Sequence, residues 1–308
     1  MSQVLVNNIS IAEKRQRVYR LTVQDVDEKG FPVDSYTVIQ NPITIKFSVN
    51  RSLFADVNTL DIDIYNLAPK TYRKLFFDFF NMKYRKVTLE AGYETTGLSV
   101  IFMGEMWSCY THREKSEVIT KMHCIVGLKS MQAHTDITLA GIHRDKVLAS
   151  VAKDMALELQ IYSTDDKVIT RPVVLSDNSM AIAQQYSDNN AYIDNGRLII
   201  LKDTDAIKGY VPLINDESGL LGVPKHEDAI LKIDMIFEPR IIVGQIIEVN
   251  SRILPMFNGQ YKVFGVKHAG VISGASAGNV VTTLEMLVGS QIYGRFGIVT
   301  LEHQQKPD

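Results

Sequence analysis

The sequence predicts a mainly β protein with an α+β insert: two antiparallel β-barrel modules, one from each end of the chain, and a small α/β insert in the middle. Three observations predict it. Apolar and polar residues alternate at both ends, the middle changes to helical spacing, and that middle carries its own charge balance. With 308 residues and 45% hydrophobic content, the chain is long enough for about two domains with real cores.

From Arg17 to Gly127 the dominant period is two. Leu60, Ile62 and Ile64 alternate with Asp61, Asp63 and Tyr65, and Ile43, Ile45 and Phe47 alternate with Thr44, Lys46 and Ser48. That is the pattern of a strand with one buried and one wet face. Further strands are expected near residues 18–26, 87–93, 99–111 and 117–126, and half-buried strands joined by short polar turns give antiparallel sheet. Pro69 suits a first helical turn, and Tyr72, Leu75, Phe76, Phe79 and Phe80 follow at helical spacing. One helix should therefore lay an aromatic stripe against the sheet as part of the core.

After Gly127 the texture changes. Val147, Leu148, Val151, Ala152, Met155, Ala156 and Leu159 predict an amphipathic helix, and Asp177 is the expected N-cap of a second helix reaching about Ser187. Residues 129–227 hold 10 Lys+Arg against 14 Asp+Glu, a balance of -4; the part before Leu128 is +2 (16 against 14) and the part from Asp228 onward is 0 (7 against 7). Asn195-Gly196 stands between two short apolar runs and favours the positive φ angles of a two-residue hairpin, expected over residues 190–202.

From Ala229 the period of two returns, with strands expected at 230–237, 245–252, 261–269 and 280–287. Residues 270–278, rich in Gly, Ser and Ala, read as a mobile hairpin tip. The expected division is residues 1–128 for the first module with its covering helix, 129–227 for the insert, 228–289 for the second module, and 290–308 as a tail packing on this chain or a neighbour.

The chemistry-bearing residues are scattered. No G-x-S-x-G elbow, phosphate-cradling glycine loop or H-E-x-x-H is present, so no catalytic residue, cofactor or metal is expected. Cys109 and Cys124 form neither a CxxC pair nor a zinc cluster and read as reduced, half-buried thiols. Asp61 and Asp63 share one face of a strand, where carboxylates can do acid/base work or hold a cation, but a solvated outer face is the simpler reading. The same holds for Asp165 and Asp166 in a polar turn. His112 reads as a strand-end turn, His123 should point away from its neighbour Cys124, and His226 and His268 read as polar surface or satisfied strand residues. The basic clusters Lys14, Arg15, Arg17 and Lys83, Arg85, Lys86 could touch phosphates or acidic partners, yet read first as solvated faces. The formal charge of -2 offers no broad basic field for nucleic acid. Met1 to Arg17 lacks the charge order and apolar run of a signal peptide, and no apolar run approaches a membrane span. The expectation is therefore a soluble chain not exported by the usual route.

Several stretches together are similar to a known family. They are Ile43 to Asn66 (ITIKFSVNRSLFADVNTLDIDIYN), the helix over 142–159, Met180 to Arg197 (MAIAQQYSDNNAYIDNGR), Ser218 to Pro224 (SGLLGVP), Phe237 to Val249 (FEPRIIVGQIIEV) and Phe257 to His268 (FNGQYKVFGVKH). No single piece is diagnostic, but in this order they resemble the central baseplate hub proteins of tailed bacteriophages. The resemblance implies tail-tube-like barrels, two per subunit, in a homotrimer that presents a pseudo-sixfold ring within the virion's tail baseplate, assembled in the host cytoplasm. It also implies contacts with the tail tube protein, a spike or tip protein, the baseplate wedge or surrounding proteins and the tape-measure protein, and passage of DNA without specific binding. Two other classes fit the residues. A tail-associated peptidoglycan hydrolase would draw on Asp154, Glu158 and Asp177, and a carbohydrate-binding adhesion module would stack sugars on exposed aromatics, for which Trp107 is the only tryptophan.

Overall fold

The structure is a computed structural model that describes residues 11, 14–27, 29–53, 57–76, 84–139, 142–163, 168–169, 173–227, 229–274 and 278–287. Its N-terminal part supplies β1 (Arg17–Val26), β2 (Pro32–Gln40), β3 (Ile45–Ser52), β4 (Thr59–Tyr65), helix α1 (Pro69–Leu75), β5 (Lys86–Tyr93), β6 (Gly97–Glu114) and β7 (Glu117–Ile125). Alternation explains these strands directly. In β4 the buried residues are Leu60, Ile62 and Ile64, and in β3 they are Ile45, Phe47, Val49 and Arg51.

The middle of the chain forms β8 (His134–Leu139), β9 (Ile142–His143), α2 (Arg144–Asp154), β10 (Glu158–Ile161), β11 (Val168–Ile169), β12 (Val173–Asn178), α3 (Ser179–Tyr186), β13 (Ala191–Asp194) and β14 (Arg197–Ile200). Here β10 runs parallel to β14, which pairs antiparallel with β13. The β13–β14 turn has the predicted form, with Asn195 at φ 46° and Gly196 at φ 77°. The α2 residues Val147, Leu148, Val151 and Ala152 are buried as expected.

The remainder supplies β15 (Leu213–Ile214), β16 (Leu220–Glu227), β17 (Ile230–Ile236), β18 (Ile246–Val249), β19 (Gly259–Ile272) and β20 (Val280–Leu287). β16, grouped by sequence with the insert, hydrogen-bonds to β17 in the large sheet.

Both ends of the chain join in one 13-stranded sheet with the order β16-β17-β20-β19-β3-β4-β7-β6-β5-β1-β2, and β18 and β15 attach through β19. The mainly β class and the antiparallel pairing stand, but among the described strands neither module closes as a separate barrel. The reason lies in β19, which pairs with β20 on one side and uses its other side to ladder onto β3, from Gly265↔Ser52 to Ile272↔Ile45. Two apolar cores nevertheless persist. One joins the N-terminal strands to the insert, and the other lies within the C-terminal strands around Leu231, Ile247, Tyr261 and Leu284.

Three local expectations fail. The helix expected to run to Leu159 stops at Asp154, because Ala156 turns to φ 56° and Leu159 enters β10. The aromatic helix ends at Leu75, where Phe76 turns extended (φ -50°, ψ 128°) and leaves the buried face with 63% exposure; Phe79 and Phe80 lie outside the described residues. The N-cap of α3 is Asn178, whose Oδ1 accepts from the amides of Met180 and Ala181. Asp177 instead pairs with Thr135 inside β12, and its carboxylate takes the Asn178 amide.

Candidate assembly surface

The feature that spans most of the chain is the wet face of the large sheet. Register places its residues in rows across the strands. One row runs Lys121 (β7), Asp63 (β4), Lys46 (β3), and another runs Lys267 (β19), Thr283 (β20), Asp234 (β17). Where β7, β4, β3, β19, β20 and β17 lie side by side, the outward positions carry four lysines (Lys46, Lys121, Lys232, Lys267) and four carboxylates (Asp61, Asp63, Asp234, Glu285). Glu117 lies beyond the last β4 partner of β7. Opposite charges thus sit on neighbouring strands, the arrangement that stabilises cross-strand pairs.

Several contacts on this face are direct. His123 Nδ1 lies 2.6 Å from Asp61 Oδ1, Lys232 bridges Glu227 at 3.2 Å and Glu285 at 3.3 Å, and Lys225 reaches Asp234 at 3.5 Å. The hydrogen bonds to Glu227 and Glu285 raise the Lys232 ammonium above the ordinary lysine range. Thr283 Oγ1 donates to Asp234 at 2.6 Å.

Two edges bound this face. β5 accompanies β6 only as far as Lys86↔Glu105, and the Met106 amide still donates to Arg85 O, so the open part of β6 runs from Ser108 to Glu114, with β7 on one side and, among the described residues, no strand on the other. β16 pairs only with β17. The far end of the sheet path is β2, an edge strand with Tyr36 and Val38 exposed. Unpaired N–H and C=O rows of this kind are templates for another strand.

Beneath the sheet, charge is buried and paired. Arg51 points inward and grips the carboxylate of Asp194 at the β13–β14 turn, donating from Nε to Oδ1 at 3.0 Å and from Nη2 to Oδ2; their side chains are 1% and 9% exposed. Asn58 Nδ2 donates to the same carboxylate at 3.4 Å. This ties the insert to β3. Lys262 reaches the backbone carbonyls of Lys202 and Asp203 at 3.0 and 3.2 Å, and burial lowers its pKa to about 8.

Sequence reasoning misplaced some of these groups. Lys14 and Arg85 are not on solvated faces. Arg85 is 1% exposed and donates to the carbonyls of Gln24, Lys74 and Leu75, while the Lys14 side chain is 2% exposed against Glu238. A buried arginine that satisfies carbonyls at a helix end has no periodic signature. Lys83, Asp165 and Asp166 lie outside the described residues. Asp61 and Asp63 are on the wet face as expected, but no local pattern signals that His123 meets Asp61. Cys109 and Cys124 are buried free thiols, and burial pushes Cys109 up to about 12 and Cys124 well above its ordinary value. His226 is exposed and stacks on Phe257, whereas His268 is fully buried beside Thr282, with its pKa lowered to about 3 by burial. Asp154, Glu158 and Asp177 are exposed on α2, β10 and β12, and Glu158 faces Arg197 at 3.7 Å. Among the described residues no group of three or more His, Cys, Asp or Glu could hold a metal, and no helix is long and apolar enough to cross a membrane.

The baseplate hub gp41 family matches this sequence over residues 20–269. The chain belongs to that family. Membership gives it a structural role in the phage tail baseplate and agrees with the resemblance read from the sequence. Among solved structures, a 43 kDa tail protein of prophage MuSo2 from Shewanella oneidensis is similar with a TM-score of 0.56 at 9% identity, covering 89% of this chain and 99% of that one. A tail protein from Neisseria meningitidis gives 0.57 at 8% identity, covering 90% and 98%. An Escherichia coli component of the type VI secretion system, itself described as similar to the T4 tail proteins gp27 and gp5, gives 0.52 at 10% identity, covering 82% and 75%. At these identities the likeness is one of fold. A search of curated proteins finds no match.

Proposed function

We propose that this hub protein assembles as a homotrimer whose six β modules, two per chain, form a pseudo-sixfold ring between the tail tube and the spike or tip, with the wet face of the large sheet lining the channel. Residues 1–128 supply one module and β15 to β20 the other, the insert between them makes the two unequal, and residues 290–308, expected as a tail, lie outside the described residues. The observation that supports the reading is one face of alternating charge bounded by two open edges, Ser108–Glu114 of β6 and β16. Strand edges at opposite ends of one face suit head-to-tail contacts, which close into a ring when the rotation permits.

The face suits passage of DNA rather than capture. Four lysines set against four carboxylates on adjacent strands cancel one another within a Debye length of ~8 Å at physiological salt, so a passing phosphate backbone meets no sustained attraction. The outer surface and rims are left for the tail tube, wedge and tip proteins, the tape-measure protein shares the channel, and the role needs no catalytic group or cofactor.

The test joins mass determination in solution with negative-stain imaging. A ring of three copies is expected, and a protein that stays monomeric at every concentration tested sinks the reading. For the channel, Asp61→Lys/Asp63→Lys should retard duplex DNA in a gel at physiological salt where the unmodified protein does not. Retardation by the unmodified protein would defeat the assignment of this face.

A further inference from the structure

The two β modules have separate cores, yet Phe237, Ile272 and Val280 of the C-terminal module lie in the N-terminal one, and Phe237 reaches it from a short segment outside the strands. Phe237 follows β17 of the C-terminal module, but its ring is buried in the N-terminal core, 6.5 Å from Phe47 and 6.0 Å from Tyr93. The Tyr93 hydroxyl donates to the Phe237 carbonyl at 2.8 Å. The next residue, Glu238, is 1% exposed; its amide donates to Thr282 Oγ1 at 2.9 Å, and Arg240 donates from Nε to its carboxylate at 2.7 Å.

The chain preceding β1 reaches the same place. Ile11 donates its amide to Glu217 O, and Lys14 Nζ donates to Ser218 O at 2.9 Å and lies 3.5 Å from Glu238 Oε2. Arg17, at the start of β1, donates to the carbonyl of Gly278 just before β20. Immediately beside it, Gln16 O accepts from Glu94 at the end of β5. Ile11, Lys14 and Arg17 therefore each touch the C-terminal part of the chain before β1 enters the N-terminal module.

We propose that this N-terminal strap and Phe237–Arg240 form a clasp that fixes the angle between the two β modules, with the Lys14–Glu238 pair as its bolt. The geometry gives the reason. The modules share one ladder, β3 with β19, and a single antiparallel pair twists readily about its axis. A second attachment away from that axis removes the freedom. Phe237 supplies contact area, and a hydrogen-bonded buried ion pair supplies register, the use of such pairs that is best attested. The clasp acts within one chain and holds whether or not copies assemble.

Hydrogen exchange of the whole protein tests it. Lys14→Met keeps the side chain's bulk and leaves Glu238 buried beside Arg240 alone. Losing one partner of a buried pair should speed exchange in β16, β17 and β20 on the order of 100-fold, while β4 and β7 keep their protection. Lys14→Met/Glu238→Gln, which also removes the buried carboxylate, should recover part of it. Glu238→Gln alone should show the same contrast more weakly and serves as the reading if Lys14→Met yields no folded protein. Equal acceleration in both modules, no acceleration, or a double variant as fast as Lys14→Met would overturn the proposal.

Discussion

Replacing Asp194 with alanine tests how the insert is held. In the folded chain its carboxylate receives two bonds from Arg51 and one from Asn58, and the Arg51 side chain is 1% exposed. Alanine removes the acceptor and leaves a guanidinium in a nearly dry site, where stranding one member of a buried pair costs about 3–5 kcal/mol. The desolvation is already spent in the native protein, so the loss is far larger than the ~0–1 kcal/mol of a surface pair. Arg51→Met/Asp194→Leu removes both charges and fills similar space; such replacements are often neutral or stabilising, so it should lose much less than Asp194→Ala. Urea unfolding at neutral pH, followed by fluorescence with the slope checked for two-state behaviour, gives both numbers. If Asp194→Ala loses under ~1 kcal/mol, or the double variant loses as much as the single, the pair does not hold the insert as described.

Four further outcomes are expected. Phe237→Ala should destabilise the protein by about 3–5 kcal/mol in the same assay, because an aromatic ring is removed from a close-packed core. Gly196→Ala should cost ~1 kcal/mol or more, since φ is 77° and the new methyl would meet Met103 Sδ at 3.1 Å. For Lys262 the folded pKa of about 8 lies below the ordinary 10.5, so the unfolded chain holds the extra proton between those values and stability rises with pH across that window. Measured against Lys262→Met, which lacks the group, the native chain should gain roughly 3 kcal/mol between pH 7 and 10.5; a flat difference contradicts the assignment. Cys109 and Cys124 should resist a thiol reagent at pH 8 until denaturant is added, because burial disfavours both thiolates.

Much of the sheet was legible because its signal is local. Alternation in β3, β4, β17 and β20, the Asn195-Gly196 turn and the apolar face of α2 are each set within a few residues. The joining of the two ends by β19 and β3 was not legible, since either strand alone reads as a half-buried strand with unknown partners. The wet face was visible only strand by strand; the alternation of Lys121, Asp63 and Lys46 is a property of register, which sequence does not state. Lys14 and Arg85 were misread because a basic residue near a turn is usually solvated, and only tertiary contact reveals the carbonyls and carboxylate that receive them. Phe237–Arg240 lies in a stretch that carries the family resemblance, and the structure supplies its physical content as a segment that crosses between cores.

The ladder between β3 and β19 also bears on synthesis. Its partners stand 213 to 227 residues apart, from Ser52 with Gly265 to Ile45 with Ile272. While the chain emerges from the ribosome, strands β1 to β7 can pair among themselves, but one side of β3 stays open until most of the protein has been made. Contacts of such long separation form late, and an open strand edge meanwhile invites foreign pairing. A truncated product ending before β19 would keep that edge exposed for good, making it prone to aggregate and marking it as incomplete before it could join an assembly.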